Sequence, residues 1–494
     1  MIIKADFGSL SRKERLSFLL EIAYLEWGWV AGKSCFGTLV RKHPKTHQQA
    51  SALEEETNMN RLTPSSVSRR FWLVGVGALT LGFAALVGGQ AQDAPVTLVY
   101  WTHGAGRPTG AELYMKSHPN VKIEIVNQVP GSINEKVRLA RRAGSGIPDV
   151  IFGTAAETPE FVRKGFAADI TPYVPKDILK NFAPRTLQPL TIGGKLYGMP
   201  NDTGSTGIWY NQKILNELGM KLPTSIDGLV AFSKELKEKH PGYYINTTFL
   251  YSQYGPNIFA AVGERWLHRV NDKTYDIKIN TARSKELMGK LVSIVKDGAG
   301  YPQNPFAPGA TKLVSEGKMA LVLLPTWYGP YVLQLNEGSK QPGQWGFYGT
   351  LRMSDSDRPK AGIWDGGVYQ VTTTNPDLVK PAAEFITWVT TSRDYYAGRE
   401  AVVPPYKPLW KGTPPVAAFK SDDYYVKPLA PEYVRGVQLG ASWEFGPNDS
   451  YIQNYADTNF PDMFSGKVSV SEGMDAFQKA VEDDFVKQGF SVKK

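Results

Sequence analysis

The chain has 494 residues, 12% of them aromatic and 21% charged, with a formal net charge of +9. The basic excess is mild and no run of Lys/Arg exceeds two residues, as in Arg141-Arg142, so the charge argues for solubility and against a nucleic-acid partner. The one cysteine, Cys35, precedes the main body of the chain, which therefore has no disulfide, thiolate metal site or Cys nucleophile.

Residues 71–91, FWLVGVGALTLGFAALVGGQA, form an apolar run directly behind Ser68-Arg69-Arg70. A basic flank, an apolar centre and small residues at the exit are the make-up of a secretory signal. Gly89 and Ala91 stand at positions −3 and −1, so the expected cut falls before Gln92. A start at Met59 supplies a short basic leader and makes 59–91 the signal. Residues 1–58 are then a misassigned upstream start or, failing that, a real extension. Two alternatives stay open: an uncleaved anchor, since 18 apolar residues almost span a bilayer, and export by the twin-arginine route. No cysteine follows the run, which excludes a lipid anchor, and an unanchored exported protein is expected in a periplasm. About 400 residues then remain, more than one core organises, so two lobes are expected.

Strand and helix signals alternate from residue 96. The sequence predicts a strand Val96–Trp101, a helix Ala111–Ser117, a half-exposed strand Val121–Asn127 and a helix Ser132–Arg142. Ser132 with Glu135 reads as a capping box. A buried strand Pro148–Phe152 and a helix Pro159–Lys164 follow. This β-α-β-α-β order predicts a mostly parallel sheet covered by helices. Gly193-Gly194 within Ile192–Met199 marks a hairpin turn. Further on, strands are expected at Gly207–Tyr210, Met319–Leu324 and Gly366–Val371. Helices are expected at Gln212–Leu218, Ile226–Glu238, Ala282–Lys296 and Pro381–Thr390, and over 449–464 and 471–488. The Pro-rich stretch from about residue 400 should be extended and irregular.

Signals of catalysis are weak. H-E-x-x-H and G-x-S-x-G are both absent. Gly104-Ala105-Gly106 with Gly110 misses the dinucleotide spacing, and the histidines at 103, 118, 240 and 268 are scattered, so no metal site is expected. Carboxylates are plentiful but nothing selects a glycosidase pair. Many Trp and Tyr residues fall beside Gly, Pro, Asn or Asp, the context of binding loops.

Several stretches resemble the family-1 extracellular solute-binding proteins of ABC importers, the maltose-binding-protein-like group. They are VTLVYWTHG (96–104), HPNVKIEIV (118–126), GIPDVIFG (146–153), KGFAADITPYV (164–174) and GGKLYGMPNDTGSTGIWYNQKIL (193–215). FAPGATKLVSEGKMALVLLPTWYG (306–329) and WDGGVYQVTTTNPDLVKPAAEFITWV (364–389) continue the set in the family's order. The resemblance implies an α/β, two-lobed periplasmic-binding-protein fold of type II, with mostly parallel sheets and a hinged cleft. Lobe I is expected to comprise 92–203 with 366–412, and lobe II 204–365 with 413–494. The implied role is non-enzymatic: a monomer captures a sugar or oligosaccharide in the cleft, without a cofactor, and delivers it to the membrane permease. A secreted glycoside hydrolase, or a binder of a non-sugar solute, is the alternative.

Sugars need an apolar platform for their C–H faces and planar hydrogen-bonding groups for their hydroxyls. On that basis the candidate contacts are Trp101, Thr102 and His103 after the first strand, where the resemblance places a ligand loop. Thr154 and Glu157 follow the third predicted strand. Asp202 and Thr203 lie in the stretch that resembles the hinge crossing. Trp327 occupies the family's "G-W" position, although Pro325-Thr326 stands where Gly is usual. Trp364, Asp365 and Gly366 lie at the second crossing. Tyr254, Trp443 and Tyr451 complete the set.

Overall fold

The computed structural model describes residues from Pro95 to Lys493, apart from 104–107, 130–131, 184, 248–254, 338–340, 365, 400–402, 413–415, 417–422 and 442. The predicted signal and the doubtful extension lie outside the described residues. Among the described residues no helix is long and apolar enough to cross a membrane.

Twelve strands build two main sheets. In chain order they are β1 (Val96–Thr102), β2 (Val121–Asn127), β3 (Val150–Thr154), β4 (Met199–Pro200), β5 (Gly204–Asn211), β6 (Tyr244–Thr247), β7 (Gly300–Tyr301), β8 (Met319–Pro325), β9 (Trp345–Tyr348), β10 (Ala361–Trp364), β11 (Gly367–Val371) and β12 (Gly440–Ala441). The sheet of lobe I has the order β2-β1-β3-β11-β4. That of lobe II has the order β7-β6-β8-β5-β10-β12, with β9 also on β5. Each is parallel apart from one reversed strand: β11 runs antiparallel to β3 and β4, and β5 antiparallel to β8, β9 and β10. The reason is connectivity. β4 passes straight into β5, and β10 straight into β11. A strand arriving from the other lobe enters at the edge where the parallel strands end, so it must run against them.

Alternation along the strands gives each sheet two buried faces. In lobe I, Leu98, Tyr100, Val150 and Phe152 pack against Ala382, Phe385, Ile386 and Val389 of the helix Pro376–Thr391. Ile151 points the other way, to Ile133, Val137 and Phe161. In lobe II, Ile208, Tyr210, Leu321 and Leu323 face Leu229, Leu287, Leu291 and Phe477 of the helices. Trp209, Val322 and Leu324 face Tyr328, Trp345 and Phe347. Runs buried on both faces are what helix-covered parallel sheets require.

Most predicted elements are present within a few residues. The Gly193-Gly194 turn has φ of 59° and 75°, the two positive angles a type I′ hairpin needs. Two expectations are corrected. Ser132 does not cap its helix: its backbone is already helical, and its hydroxyl turns back to the Val129 carbonyl at 2.8 Å. A capping box forms instead at Ser469 and Glu472, ahead of the helix Val470–Lys487. The helix expected from Pro381 starts at Pro376, where Asn375 accepts from the Asp377 N–H and Pro376 occupies the first turn. Pro381 lies inside this helix; the carbonyl it leaves unpaired belongs to Asp377, an exposed residue that water can reach.

Candidate functional site

The parallel strands of both sheets end on one side, beside the crossings. β1 and β3 are neighbours, with Trp101 opposite Ile151, so the loops carrying His103 and Thr154–Glu157 are adjacent. In lobe II the last residue of β8, Pro325, lies opposite Thr206 near the start of β5. Trp327 therefore follows at the hinge end of the sheet. Carboxyl ends of parallel strands are where ligands bind in open α/β sheets.

The hinge is a set of segments tied by hydrogen bonds. Asn201 N–H donates to the Gly367 carbonyl at 2.9 Å, and Thr203 N–H to the Val403 carbonyl at 3.0 Å. Asp202 is 6% exposed, and its Oδ1 accepts from the Gly367 N–H at 2.6 Å. Gly366 makes this possible. Its φ is +56°, and an added Cβ would collide with Asp202 Oδ1 and lie 2.7 Å from the Asp202 carbonyl oxygen. Behind the crossing, Tyr395 Oη donates to Asn201 Oδ1 at 2.8 Å and meets Tyr369 Oη at 3.0 Å. Arg399, 4% exposed, donates to Tyr395 Oη at 2.8 Å. The Tyr396 hydroxyl donates to the Asn201 carbonyl. Tyr369, Tyr395, Tyr396 and Arg399 were not selected from sequence; nothing in an Arg-Asp-Tyr-Tyr helix signals a partner almost two hundred residues earlier.

The other candidates divide by burial. Trp101 is half-buried against Ile133, Val137, Ile151 and Phe161. Thr102 is fully buried and accepts from Tyr100 Oη at 2.9 Å. The His103 ring meets Phe152 edge-on at 5.3 Å. Thr154 is exposed, and its hydroxyl donates to Glu157. Burial pushes the Glu157 carboxyl above its ordinary range, against the pull of Thr154, Asn134 and Arg138. Thr203 is buried, and no hydrogen-bond partner for its hydroxyl occurs among the described residues. Trp327 is half-buried, stacked on Phe306 with centroids 5.8 Å apart and planes 14° apart. Trp364 pairs with Gly204 through its backbone; its side chain, like Tyr254 and Asp365, lies outside the described residues.

Lobe II faces lobe I through the helix Asp449–Phe464, which touches the turn Ala155–Glu157. Asp449 opens that helix and is buried; burial first, and then Glu157 opposite, push its carboxyl up to about 7. Gly446 N–H at 3.4 Å and Gln453 Nε2 at 3.0 Å donate to it. Tyr451 is half-buried in the same first turn, its ring 6.4 Å from Tyr455. Trp443 is 3% exposed and meets Trp266 edge-on at 5.1 Å. It lines two cavities. One lies within lobe II beside Trp266, Asp449 and Gln453. The other lies between the lobes, with Gln188, Pro189 and Thr191 on one side and Arg269, Tyr275 and Glu444 on the other. Arg163 also crosses the gap, donating to the Pro447 carbonyl at 3.4 Å and Gln488 Oε1 at 3.3 Å. Asp449, Gln453 and Gln188 escaped sequence reasoning, because isolated polar residues in helices and loops carry no spacing signal. Among the described residues no three His, Cys, Asp or Glu side chains cluster as a metal site.

Two lobes of this topology, joined by strands that pass from one sheet into the other, define a hinged type II binding-protein fold. Residues 101–395 match the family described as bacterial extracellular solute-binding protein, and the chain belongs to that family. It is 24% identical over 222 residues to the galactooligosaccharide-binding protein of Bacillus subtilis (strain 168), covering 43% of this chain and 51% of that one. It is 26% identical over 251 residues to the arabinooligosaccharide-binding protein of the same organism, covering 47% and 55%. The chain thus spans about half the length of the curated relatives it matches. Among solved structures it resembles the galacto-N-biose/lacto-N-biose I-binding protein of the ABC transporter from Bifidobacterium longum, in complex with lacto-N-biose. There the TM-score is 0.70 and the identity 19%, with 81% of this chain and 100% of that chain covered. At that identity the likeness carries the fold.

Proposed function

We propose that this protein is the substrate-binding component of an ABC importer, holding a sugar or oligosaccharide between its lobes and handing it to a membrane permease. The observation that carries the reading is the contact across the gap: the turn Ala155–Glu157 of lobe I touches the helix Asp449–Phe464, whose first turn holds Tyr451 and whose Asp449 feels the Glu157 carboxylate. Trp327 just beyond β8 adds the apolar platform, and His103 just beyond β1 the polar neighbour. Both relatives cited above are named for oligosaccharides, which supports the same ligand class. Asp202, Thr203 and Gly366 are assigned to the hinge rather than to the ligand, because the Asp202 carboxyl is already engaged by Gly367. Trp101 and Thr102 support the loop from beneath, and Trp443 walls the gap. Trp364, Asp365 and Tyr254 stay in the proposed ligand set on their sequence positions. Capture is reversible and favours the closed arrangement through its higher affinity for the sugar. Export uses the 59–91 signal, with cleavage after Ala91 and release into a periplasm as a monomer.

A thermal-shift screen of the mature protein against galacto-, arabino- and malto-oligosaccharides tests this, since a bound ligand raises apparent stability by mass action. A saturable rise with at least one sugar is expected, and recovery of that sugar unchanged. Shortened products would instead give Glu157 and Asp449 hydrolytic roles and end the transport reading.

A further inference from the structure

Lobe II has a cavity of about 230 Å³ ringed by Arg283, Arg352, Arg358 and Lys360, with Asp357 as the one carboxylate in its lining. It lies outside the gap between the lobes. Lys360 directly precedes β10, and the far end of that strand, Trp364, reaches the hinge, so the cavity is about 13 Å along the strand from the crossing.

Two of the four cations are held in place. Arg283 donates from Nε to the Val262 carbonyl at 2.9 Å and from Nη2 to Asp357 at 3.1 Å. Arg352 donates to the Asp355 carbonyl, to Asp355 Oδ1 and to Thr224 Oγ1, each at 2.9 Å. Its Nε is buried, with no acceptor among the described residues. Asp357 is engaged again by the Ser354 N–H at 3.2 Å. Arg358 and Lys360 are exposed and form no ion pair among the described residues. Set against Asp355 and Asp357, the four cations leave an excess of two positive charges around one concavity. Guanidinium groups fixed by their own hydrogen bonds lose little freedom on binding, and their planar forks match oxyanions in bidentate geometry.

We propose that this cavity binds a small doubly charged oxyanion: inorganic phosphate, sulfate or a phosphomonoester. The charge excess matches a dianion, and the volume of about 230 Å³ a compact group. Isothermal titration of the full chain near ~pH 8, where phosphate carries close to two charges, tests it with phosphate, sulfate, glycerol 1-phosphate and chloride at matched ionic strength. Saturable binding of the dianions, and none of chloride, is expected. The double variant Arg358→Ala/Lys360→Ala should weaken phosphate binding at least tenfold while its sugar titration stays that of the parent. Tighter binding of glycerol 1-phosphate than of phosphate would assign the site to a phosphorylated solute, and the reverse to the free ion. Phosphate binding no stronger than chloride binding, or unaltered in the double variant, would overturn the proposal. So would a response to phosphatidylglycerol vesicles with none to free phosphate, which would make the patch a membrane contact.

Discussion

Replacing Gly366 by alanine should damage the hinge through two separable effects. The first is backbone strain: at φ +56° an L residue costs about 1 kcal/mol. The second is steric. The new Cβ would strike Asp202, whose Oδ1 must then leave the Gly367 N–H. Losing a buried hydrogen bond to a carboxyl adds about 1.5–3 kcal/mol. The sum is about 2.5–4 kcal/mol. With an unfolding entropy of ~2.1 cal/mol/K per residue over ~400 residues, about 1.2 °C is lost per kcal/mol, so Tm should fall by roughly 3–5 °C. Gly144→Ala is the control: its φ is +68° but nothing lies within 4 Å of an added Cβ, so only the strain cost of about 1 kcal/mol, roughly 1 °C, applies. Differential scanning calorimetry of both variants gives the comparison. Equal falls in Tm would refute the claim that Asp202 and the second crossing are locked together.

Tyr395→Phe removes the hydroxyl shared by Asn201, Tyr369 and Arg399; about 3 kcal/mol should be lost, read from urea denaturation, because buried polar groups are left without a partner. Asp449 makes stability pH-dependent. Its folded pKa is raised to about 7, so its contribution is intact below the unfolded value near ~4 and is lost as pH rises through ~7. The loss is at most about 4 kcal/mol, and Asp449→Asn should flatten that part of the pH profile of Tm. Trp327→Ala should weaken sugar binding at least tenfold (about 1.4 kcal/mol) in a tryptophan-fluorescence titration while leaving Tm of the free protein within a few degrees; undiminished affinity would remove Trp327 from the site.

The order of strands and helices was legible because both sheets are built from segments buried on two faces, and such segments announce themselves as short apolar runs. Val121–Asn127, Gln212–Leu218 and Ala282–Lys296 have their predicted bounds. The resemblance to extracellular solute-binding proteins was legible in the ordered set of motifs, and the family match bears it out. Strands such as Trp345–Tyr348 and Ala361–Trp364 were not, since they are four residues long and owe their conformation to β5. The helix Ala430–Gln438 was missed because Pro, Gly and Tyr dilute its apolar spacing; Tyr433, Gly436 and Val437 are nonetheless its buried face. The hinge network was illegible for another reason. The bonds from Asp202 to Gly367 and from Tyr396 to Asn201 span 165 and 195 residues of sequence, and only folding brings these partners together.

The reversed strands have a consequence for biosynthesis. β11 is the seam between β3 and β4, yet it is made some 170 residues after Pro200. Until it emerges from the ribosome, the amino-terminal half holds two unzipped strand edges and cannot close its own sheet. Truncations before residue 367 should therefore yield aggregating fragments rather than an isolated lobe. A chaperone that keeps the nascent chain extended has a long interval in which to act.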